Sequence, residues 1–371
     1  MDNSGFDNTM MGIALRMAKR GLGTTAPNPS VGAVIADETT GEVIARGWTQ
    51  PGGRPHAETE ALCRAGARAR GATMYVTLEP CAHHGKTPPC AEAIIAAGVK
   101  RVVVGVGDPD TRTAGQGIAR LRAAGIEVKE GVLEDEARWM VLGHILRVTE
   151  KRPFVQMKMA LADDGTVHRG WAGQPVIVTG PEARAQGHMM RAEADAILVG
   201  RQTVIDDNPA LTCRLPGLQP RSPVRVVVTS SAQGLGRSAL AASAREVPLW
   251  ILCGPEASDD AVAVLESGGA RVFRLPVTAG KVAITAVAET LAGQGITRLL
   301  VEGGTEIWRS FALAGLIDEA VVFNAQVDGG GLTFYQQSVA YAVRRYLPSA
   351  RLEAVAARRI GDDAMVILRR T

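Results

Sequence analysis

A chain of 371 residues, 46% hydrophobic and 21% charged, has the make-up of a globular protein, and its length favours two domains over one core. A net charge of +3 with no dense Lys/Arg run offers neither a nucleic-acid groove nor a basic membrane face, and no apolar run nears the roughly 18 residues of a transmembrane helix. Five scattered cysteines form no disulfide framework, and Met1-Asp2-Asn3-Ser4 lacks the regions of a signal peptide, so a reducing cytoplasm is expected.

Residues 7–20 read as an amphipathic helix with Asp7 as its N-cap and Met10, Ile13, Ala14 and Met17 on one face. After the break at Gly21-Leu22-Gly23 and the turn-forming Pro27-Asn28-Pro29, Val31–Ala36 and Val43–Arg46 read as paired strands. His56–Ala69 reads as a helix, Thr73–Leu78 as a strand, and Pro89-Cys90 as the start of the next helix. Arg101–Gly105 (strand), Gly117–Ala124 (helix), Glu127–Lys129 (edge strand) and a helix near Leu133–Leu146 complete an α/β layer.

Two stretches in this half carry chemistry. Pro55-His56-Ala57-Glu58 offers an imidazole and a carboxylate, and Glu79-Pro80-Cys81 through Pro88-Pro89-Cys90 offers two thiols. Three nitrogen and sulfur ligands suit a catalytic zinc that keeps a fourth position open for water. Zinc deaminases carry the pattern H-x-E…P-C-x-x-C, in which the Glu is the general acid/base and no ligand. Here eight residues separate the cysteines instead of two. On a helix His56 and Glu58 point about 200° apart, so they share a site only if the metal sits over the helix N-terminus. Cys63, about 10 Å further along that helix, reads as a small buried residue. A zinc closed by His83 or His84 as fourth ligand is the structural alternative, but it leaves Glu58 without a role. Zinc lowers the pKa of water towards about 7, and Glu58 could take the released proton and pass it to a departing amine.

These stretches, together with Pro27-Asn28-Pro29-Ser30-Val31-Gly32, resemble the bifunctional deaminase/reductase family of riboflavin biosynthesis. The long cysteine loop with its His-x-Gly-x-Thr-Pro-Pro pattern separates that family from cytidine and tRNA-adenosine deaminases. The resemblance implies a cytidine-deaminase-like three-layer domain over residues 1–149. It implies one zinc held by His56, Cys81 and Cys90, with Glu58 as proton shuttle and Asn28, His83, Lys86 and Asp108 around a phosphorylated pyrimidine. Thr49 and Glu60 stand where relatives often have His, and Asp110 where Asn is usual.

The charged linker Thr149–Pro153 opens a second domain, 150–371. Phe154–Ala160, Val176–Val178, Ala196–Val199, Val224–Thr229, Pro248–Leu252 and Arg298–Val301 read as strands. Helices are expected from Thr179-Gly180-Pro181, near Asp260–Ser267, over Ala283–Ala292, and from Gly303-Gly304-Thr305 to Ala314. A strand running into Gly-Gly at a helix start can cradle a phosphate. No G-x-G-x-x-G follows a strand.

The resemblance extends over this half through Thr203-Val204-Ile205-Asp206-Asp207-Asn208-Pro209-Ala210-Leu211-Thr212-Cys213-Arg214 and Val301-Glu302-Gly303-Gly304. It implies a dihydrofolate-reductase-like fold that uses NADPH. Ala160, Thr203, Asp207, Gly303, Gly304 and Thr305 are then expected at the cofactor, and Arg191, Leu211, Arg214 and Glu302 at the substrate. Asp207 is the candidate catalytic group. Pro175, Ile177, Thr229 and Gln326 depart from the family pattern, and the tail from Gly329 follows it poorly, with late strands expected at Arg351–Ala356 and Met365–Leu368. The whole reads as a two-step enzyme, deaminating a diamino-ribosylaminopyrimidine phosphate and then reducing its ribosyl group to ribityl. No nucleic-acid or membrane partner is expected, and a homo-oligomer is left open. The alternatives are a deaminase with a non-catalytic C-terminal domain, an RNA deaminase, and a zinc-stapled structural protein.

Overall fold

In the computed structural model the described residues are 4–84, 88–162, 165–168, 177–325 and 332–371. The chain divides into two compact units, Met1–Arg152 and Pro153–Thr371.

The first unit runs α1 (Ser4–Lys19), β1 (Gly32–Asp37), β2 (Glu42–Trp48), α2 (Ala57–Ala65), β3 (Thr73–Leu78), α3 (Cys90–Ala97), β4 (Arg101–Val106), α4 (Gln116–Ala123), β5 (Glu127–Lys129), α5 (Glu134–Met140) and α6 (Leu142–Thr149). Its sheet has the order β2-β1-β3-β4-β5. β1 is antiparallel to β2 and β3, and β3, β4 and β5 are mutually parallel. Side chains alternate across a strand, so each strand feeds two cores. Val34, Ala36, Tyr75 and Val103 meet Met10, Met11 and Ala14 of α1. Their neighbours Ala33, Ile35, Met74, Val76, Val102 and Val104 meet Ala57, Ala61, Ala91, Ile94 and Leu121 of α2, α3 and α4. Each large aliphatic side chain buried in this way contributes roughly 1.5–3 kcal/mol.

Several sequence expectations need correction in this unit. Asp7 is no cap: it lies inside α1 with no exposed surface. There it binds Arg101 Nη1 and Nη2 (2.8 and 2.9 Å), Lys129 Nζ (2.8 Å) and the Tyr75 hydroxyl (3.2 Å). A carboxylate in a first turn looks like a cap in sequence, but here the distant cations claim it. The helix expected over His56–Ala69 is shorter: α2 spans Ala57–Ala65, a 3-10 turn covers Gly66–Ala69, and His56 precedes the helix in extended backbone. Cys63 is exposed, because the buried face of α2 is that of Ala57, Ala61 and Ala65. The single helix expected near Leu133–Leu146 is two, α5 and α6, broken at Val141.

The second unit runs β6 (Phe154–Leu161), α7 (Pro181–Ala192), β7 (Ala196–Gly200), α8 (Arg201–Asp207), β8 (Val224–Thr229), α9 (Ala239–Ala242), β9 (Leu249–Cys253), α10 (Asp259–Ser267), β10 (Arg271–Arg274), the small pair β11 (Val277–Thr278) and β12 (Lys281–Val282), α11 (Ile284–Gly293), β13 (Arg298–Val301), α12 (Thr305–Leu313), β14 (Glu319–Asn324), α13 (Leu332–Tyr346), β15 (Leu352–Ile360) and β16 (Asp363–Arg370). The nine-stranded sheet has the order β10-β9-β8-β7-β13-β6-β14-β16-β15. It is parallel from β10 to β14, and β16 is antiparallel to both β14 and β15. Parallel strands covered on both faces are apolar throughout, and β7, β9 and β14 are buried at every residue. Of the strand expected at Val176–Val178, Val176 lies outside the described residues, and Ile177 and Val178 are not in a strand. The tail adds α13 ahead of its two strands, which form an antiparallel hairpin at the sheet edge. Among the described residues no helix is long and apolar enough to cross a membrane.

Candidate active sites

In the first unit the fold brings three of the expected ligands together at two helix starts. Gly47 of β2 lets α2 lie close, since a Cβ there would sit 2.3 Å from the Ala57 carbonyl oxygen. His56 is thereby fixed at the N-terminus of α2. Cys81 follows β3, and Cys90 is the first residue of α3. His56 Nδ1 stands 3.3 Å from Cys90 Sγ and 3.7 Å from Cys81 Sγ, while the Cys90 backbone N–H donates to Cys81 Sγ at 3.3 Å. All three ligand atoms lie within 4.8 Å of one another. A tetrahedron built on ordinary zinc–sulfur and zinc–nitrogen bonds has edges of about 3.5–3.8 Å, so the set fits zinc.

The electrostatics agree. The Cys90 side chain, His56 and the Cys90 N–H donate hydrogen bonds that bring the Cys81 thiol down to about 4 against the opposing pull of burial. The hydrogen bond to Cys81, followed by burial, pushes Cys90 up. Two helix N-termini point at this charge and favour it. Glu58 is 4% exposed, and burial raises its carboxyl above the usual range. Such a group can hold and return a proton beside the metal position.

His83 and His84 do not join the triad. His84 is exposed and lies 3.6 Å from Glu92, and His83 Nδ1 is 3.4 Å from the Thr113 hydroxyl. Asn28 donates to the Gly53 carbonyl at 2.8 Å, close to His56 in the chain. Lys86 lies outside the described residues. Of the family departures, Thr49 accepts from the Val31 N–H at 3.0 Å, and Glu60 pairs with Arg64 at 2.8 Å.

Sequence reasoning missed Glu79. This buried carboxylate accepts from the N–H groups of Asp108 (3.3 Å), Gly115 (3.0 Å), Gly117 (3.0 Å) and Ile118 (3.3 Å). It ties the β4–α4 loop, and Asp108 with it, to the segment that carries Cys81. Its adjacency to Pro80-Cys81 was the available signal.

In the second unit a cavity of about 980 Å³ opens where the parallel strands end. Ligands collect at such carboxyl ends because the following loops and helix starts converge there. Ala160, Thr203, Asp207, Arg191, Arg214, Glu302, Gly304 and Thr305 all line it. Leu211 and Gly303 do not line it: Leu211 is buried at φ 56°, and Gly303 packs on Val199, where a Cβ would come within 2.7 Å. Gly304 has φ 68°, a left-handed value that suits glycine, and precedes α12, with Thr203 Oγ1 3.4 Å from where a Cβ would stand. This bare helix start fits a phosphate-bearing dinucleotide.

Glu302 and Arg191 form a bidentate pair at 2.7 and 2.8 Å, and Arg191 Nη1 donates to the Thr212 carbonyl at 3.0 Å. Burial alone would raise the Glu302 carboxyl, but the charges of Arg191 and Lys158 bring it down to about 2. The Arg191 fork is thus committed within the protein. The Arg214 side chain makes no hydrogen bond among the described residues and is open to an anion. Lys158 and His188 also line the cavity and were missed. Lys158 is two residues before Ala160 on the same face of β6, and His188 is one helical turn before Arg191, so periodicity could have found both. Thr229 turns its hydroxyl to the Ser231 and Ala232 N–H groups, each at 3.3 Å.

A model of the cytidine and deoxycytidylate deaminase zinc-binding region matches residues 4–106, and a model of the RibD C-terminal domain matches residues 153–366. Fold and sites together define a zinc-dependent deaminase joined to an NADPH-dependent reductase. The riboflavin biosynthesis protein RibD of Aquifex aeolicus is 36% identical over 365 residues, covering 98% of each chain. That of Escherichia coli is 37% identical over 339 residues, covering 86% of this chain and 87% of its own. The crystal structure of a diaminohydroxyphosphoribosylaminopyrimidine deaminase/5-amino-6-(5-phosphoribosylamino)uracil reductase from Thermotoga maritima matches 100% of both chains, with a TM-score of 0.81 and 32% identity. The chain belongs to the RibD family, the bifunctional deaminase/reductases of riboflavin biosynthesis.

Proposed function

We propose that residues 1–149 deaminate 2,5-diamino-6-ribosylamino-4(3H)-pyrimidinone 5′-phosphate and that residues 150–371 reduce the ribosyl group of the product to ribityl. The observation that carries the first step is the His56, Cys81 and Cys90 triad beside Glu58, a buried carboxyl that burial shifts upward. His56, Cys81 and Cys90 are the zinc ligands in this reading. Zinc supplies there the Lewis acidity that brings a water's pKa towards about 7. Glu58 accepts the proton and delivers it to the amine that leaves as ammonia. Asn28, His83, Lys86 and Asp108 surround the pyrimidine.

NADPH supplies the hydride for the second step. Gly303, Gly304 and Thr305 would hold it at the start of α12, with Thr203 and Asp207 on the nicotinamide side and Ala160 also at the cofactor. Arg214 holds the substrate phosphate, and Arg191 fixes Glu302 against the substrate beside Leu211. Asp207 is the group assigned a charge or proton role at C1′. The protein works on a small molecule without nucleic acid, and five cysteines with no disulfide among the described residues suit a cytoplasmic setting.

The test follows ammonia and NADPH absorbance together on the zinc-loaded chain with the diaminopyrimidine phosphate. Both signals are expected, with ammonia lost in Glu58→Ala and NADPH oxidation lost in Asp207→Asn. Ammonia without NADPH oxidation would leave the second unit with another role, and neither signal would overturn the proposal.

A further inference from the structure

The proposed deaminase chemistry leaves one buried histidine unused. His144 on α6 is 8% exposed, and its Nε2 lies 3.0 Å from Asp108 Oδ1. Its Nδ1 is buried and has no hydrogen-bond partner among the described residues. A neutral imidazole carries its proton on one nitrogen only, and a carboxylate can only accept. Placing that proton on Nδ1 would set two acceptors against each other at 3.0 Å and bury an unmet N–H. Nε2 is therefore the donor, whether or not the ring is charged.

Asp108 Oδ1 also accepts from the Asp110 N–H at 3.0 Å, and the Asp108 backbone N–H is given to Glu79. Both hydrogen bonds to this carboxylate among the described residues fall on Oδ1, and Oδ2 accepts none from them. The surroundings are equally fixed. Asp110 is clasped by Arg112 through Nε and Nη2, and Thr113 further along the loop meets His83.

We infer that His144 is a positioning residue for the deaminase: it locks the Asp108 side chain so that Oδ2 faces the N–H donors of the aminopyrimidine. This rests on the reading that Asp108 touches the substrate. A fixed acceptor selects for a ring edge that carries amino and N–H groups, because an oxo or unprotonated edge would leave it unmet. Without His144 the carboxylate can turn, and the same contact has to be ordered afresh on binding.

The test uses the full-length, zinc-loaded chain and the diaminopyrimidine phosphate, with KM and kcat for ammonia release, zinc content and melting temperature as readouts. His144→Phe keeps the ring shape, removes the donor and also removes the buried Nδ1. It is expected to raise KM roughly tenfold, the scale of one hydrogen bond to a charged group, with little change in kcat, zinc content or melting temperature. His144→Gln, whose amide nitrogen can stand where Nε2 stood, should recover most of the loss, whereas the shorter His144→Asn should not. Asp108→Ala should raise KM at least as far, and adding His144→Phe to it should change nothing more.

An unchanged KM in His144→Phe beside a raised KM in Asp108→Ala would overturn the inference and leave the reading of Asp108 standing. An unchanged KM in Asp108→Ala would overturn both. Loss of zinc or stability in step with activity, without rescue by Gln, would make His144 a packing residue. Should His144→Phe not fold, equal KM values for the Gln and Asn variants would sink the inference.

Discussion

The two sites are built in opposite ways. The metal triad is drawn from His56, Cys81 and Cys90, three points flanking two short helices of one small sheet. The reductase cavity gathers Lys158 and Ala160 from β6, His188 and Arg191 from α7, Thr203 and Asp207 from α8, and Glu302, Gly304 and Thr305 after β13. The first is a compact donor set whose atoms prepare one another electrostatically. The second is a wide surface that exists only because crossovers bring distant strand ends side by side. A change in the first should therefore remove a chemical step outright, and a change in the second, Asp207 apart, should act through packing and orientation.

The sharpest separation should come from Glu58→Gln. Ammonia release is expected to fall by roughly 10²–10⁴, the usual weight of general acid–base catalysis, with zinc content unchanged. NADPH oxidation on the deaminated intermediate should continue; its loss would mean that the sites are not independent.

Glu302→Gln should act next most strongly. It leaves Arg191 buried without its counter-charge, a loss of about 3–5 kcal/mol in the melting of the second unit, and abolishes NADPH oxidation while ammonia release persists. The same pair sets an acid limit. The folded pKa of Glu302 is depressed to about 2, so its contribution is complete above the unfolded value and is lost as pH falls towards about 2. An acid titration followed by intrinsic fluorescence should show a step in that window that the variant lacks.

In the first unit Asp7→Asn should cost about 2–3 kcal/mol, below the full cost of breaking a buried pair because Arg101 keeps Glu38 and Glu127. Chemical denaturation should register it in the deaminase unit alone. The smallest effect is expected from Cys63→Ser, within about 0.5 kcal/mol of the parent. In zinc-loaded protein the fastest-reacting thiol should disappear in that variant, and its persistence would place the accessible sulfur elsewhere.

What could be read from sequence follows the same division. His-x-Glu and the two cysteines are recognisable because a metal demands fixed ligand types, and β1, β3, β4 and their helices follow simple periodicities. Asp7 misled because its partners Arg101 and Lys129 lie far along the chain, where local capping rules cannot see them. His144 was invisible for the same reason, 36 residues from Asp108. In the second unit most strands were legible as apolar runs, and Lys158 and His188 could be reached only by stepping along β6 and α7 from Ala160 and Arg191, two positions that the resemblance supplied. The glycine pair before α12 was readable as a cradle, and its depth depends on Val199 from another strand.

The sheet order of the second unit also governs how the chain can be made. β6, the first strand of that unit to leave the ribosome, is an interior strand, and Phe154 waits for Arg298 of β13 before its backbone is paired. The strands of the first unit, by contrast, find all their neighbours within residues 32–129. During synthesis the metal-binding half can close and load zinc while β6 is still unpartnered. A nascent chain halted before β13 would carry a finished deaminase trailing an apolar strand in search of an edge, which is the stage at which chaperone capture or aggregation would be greatest.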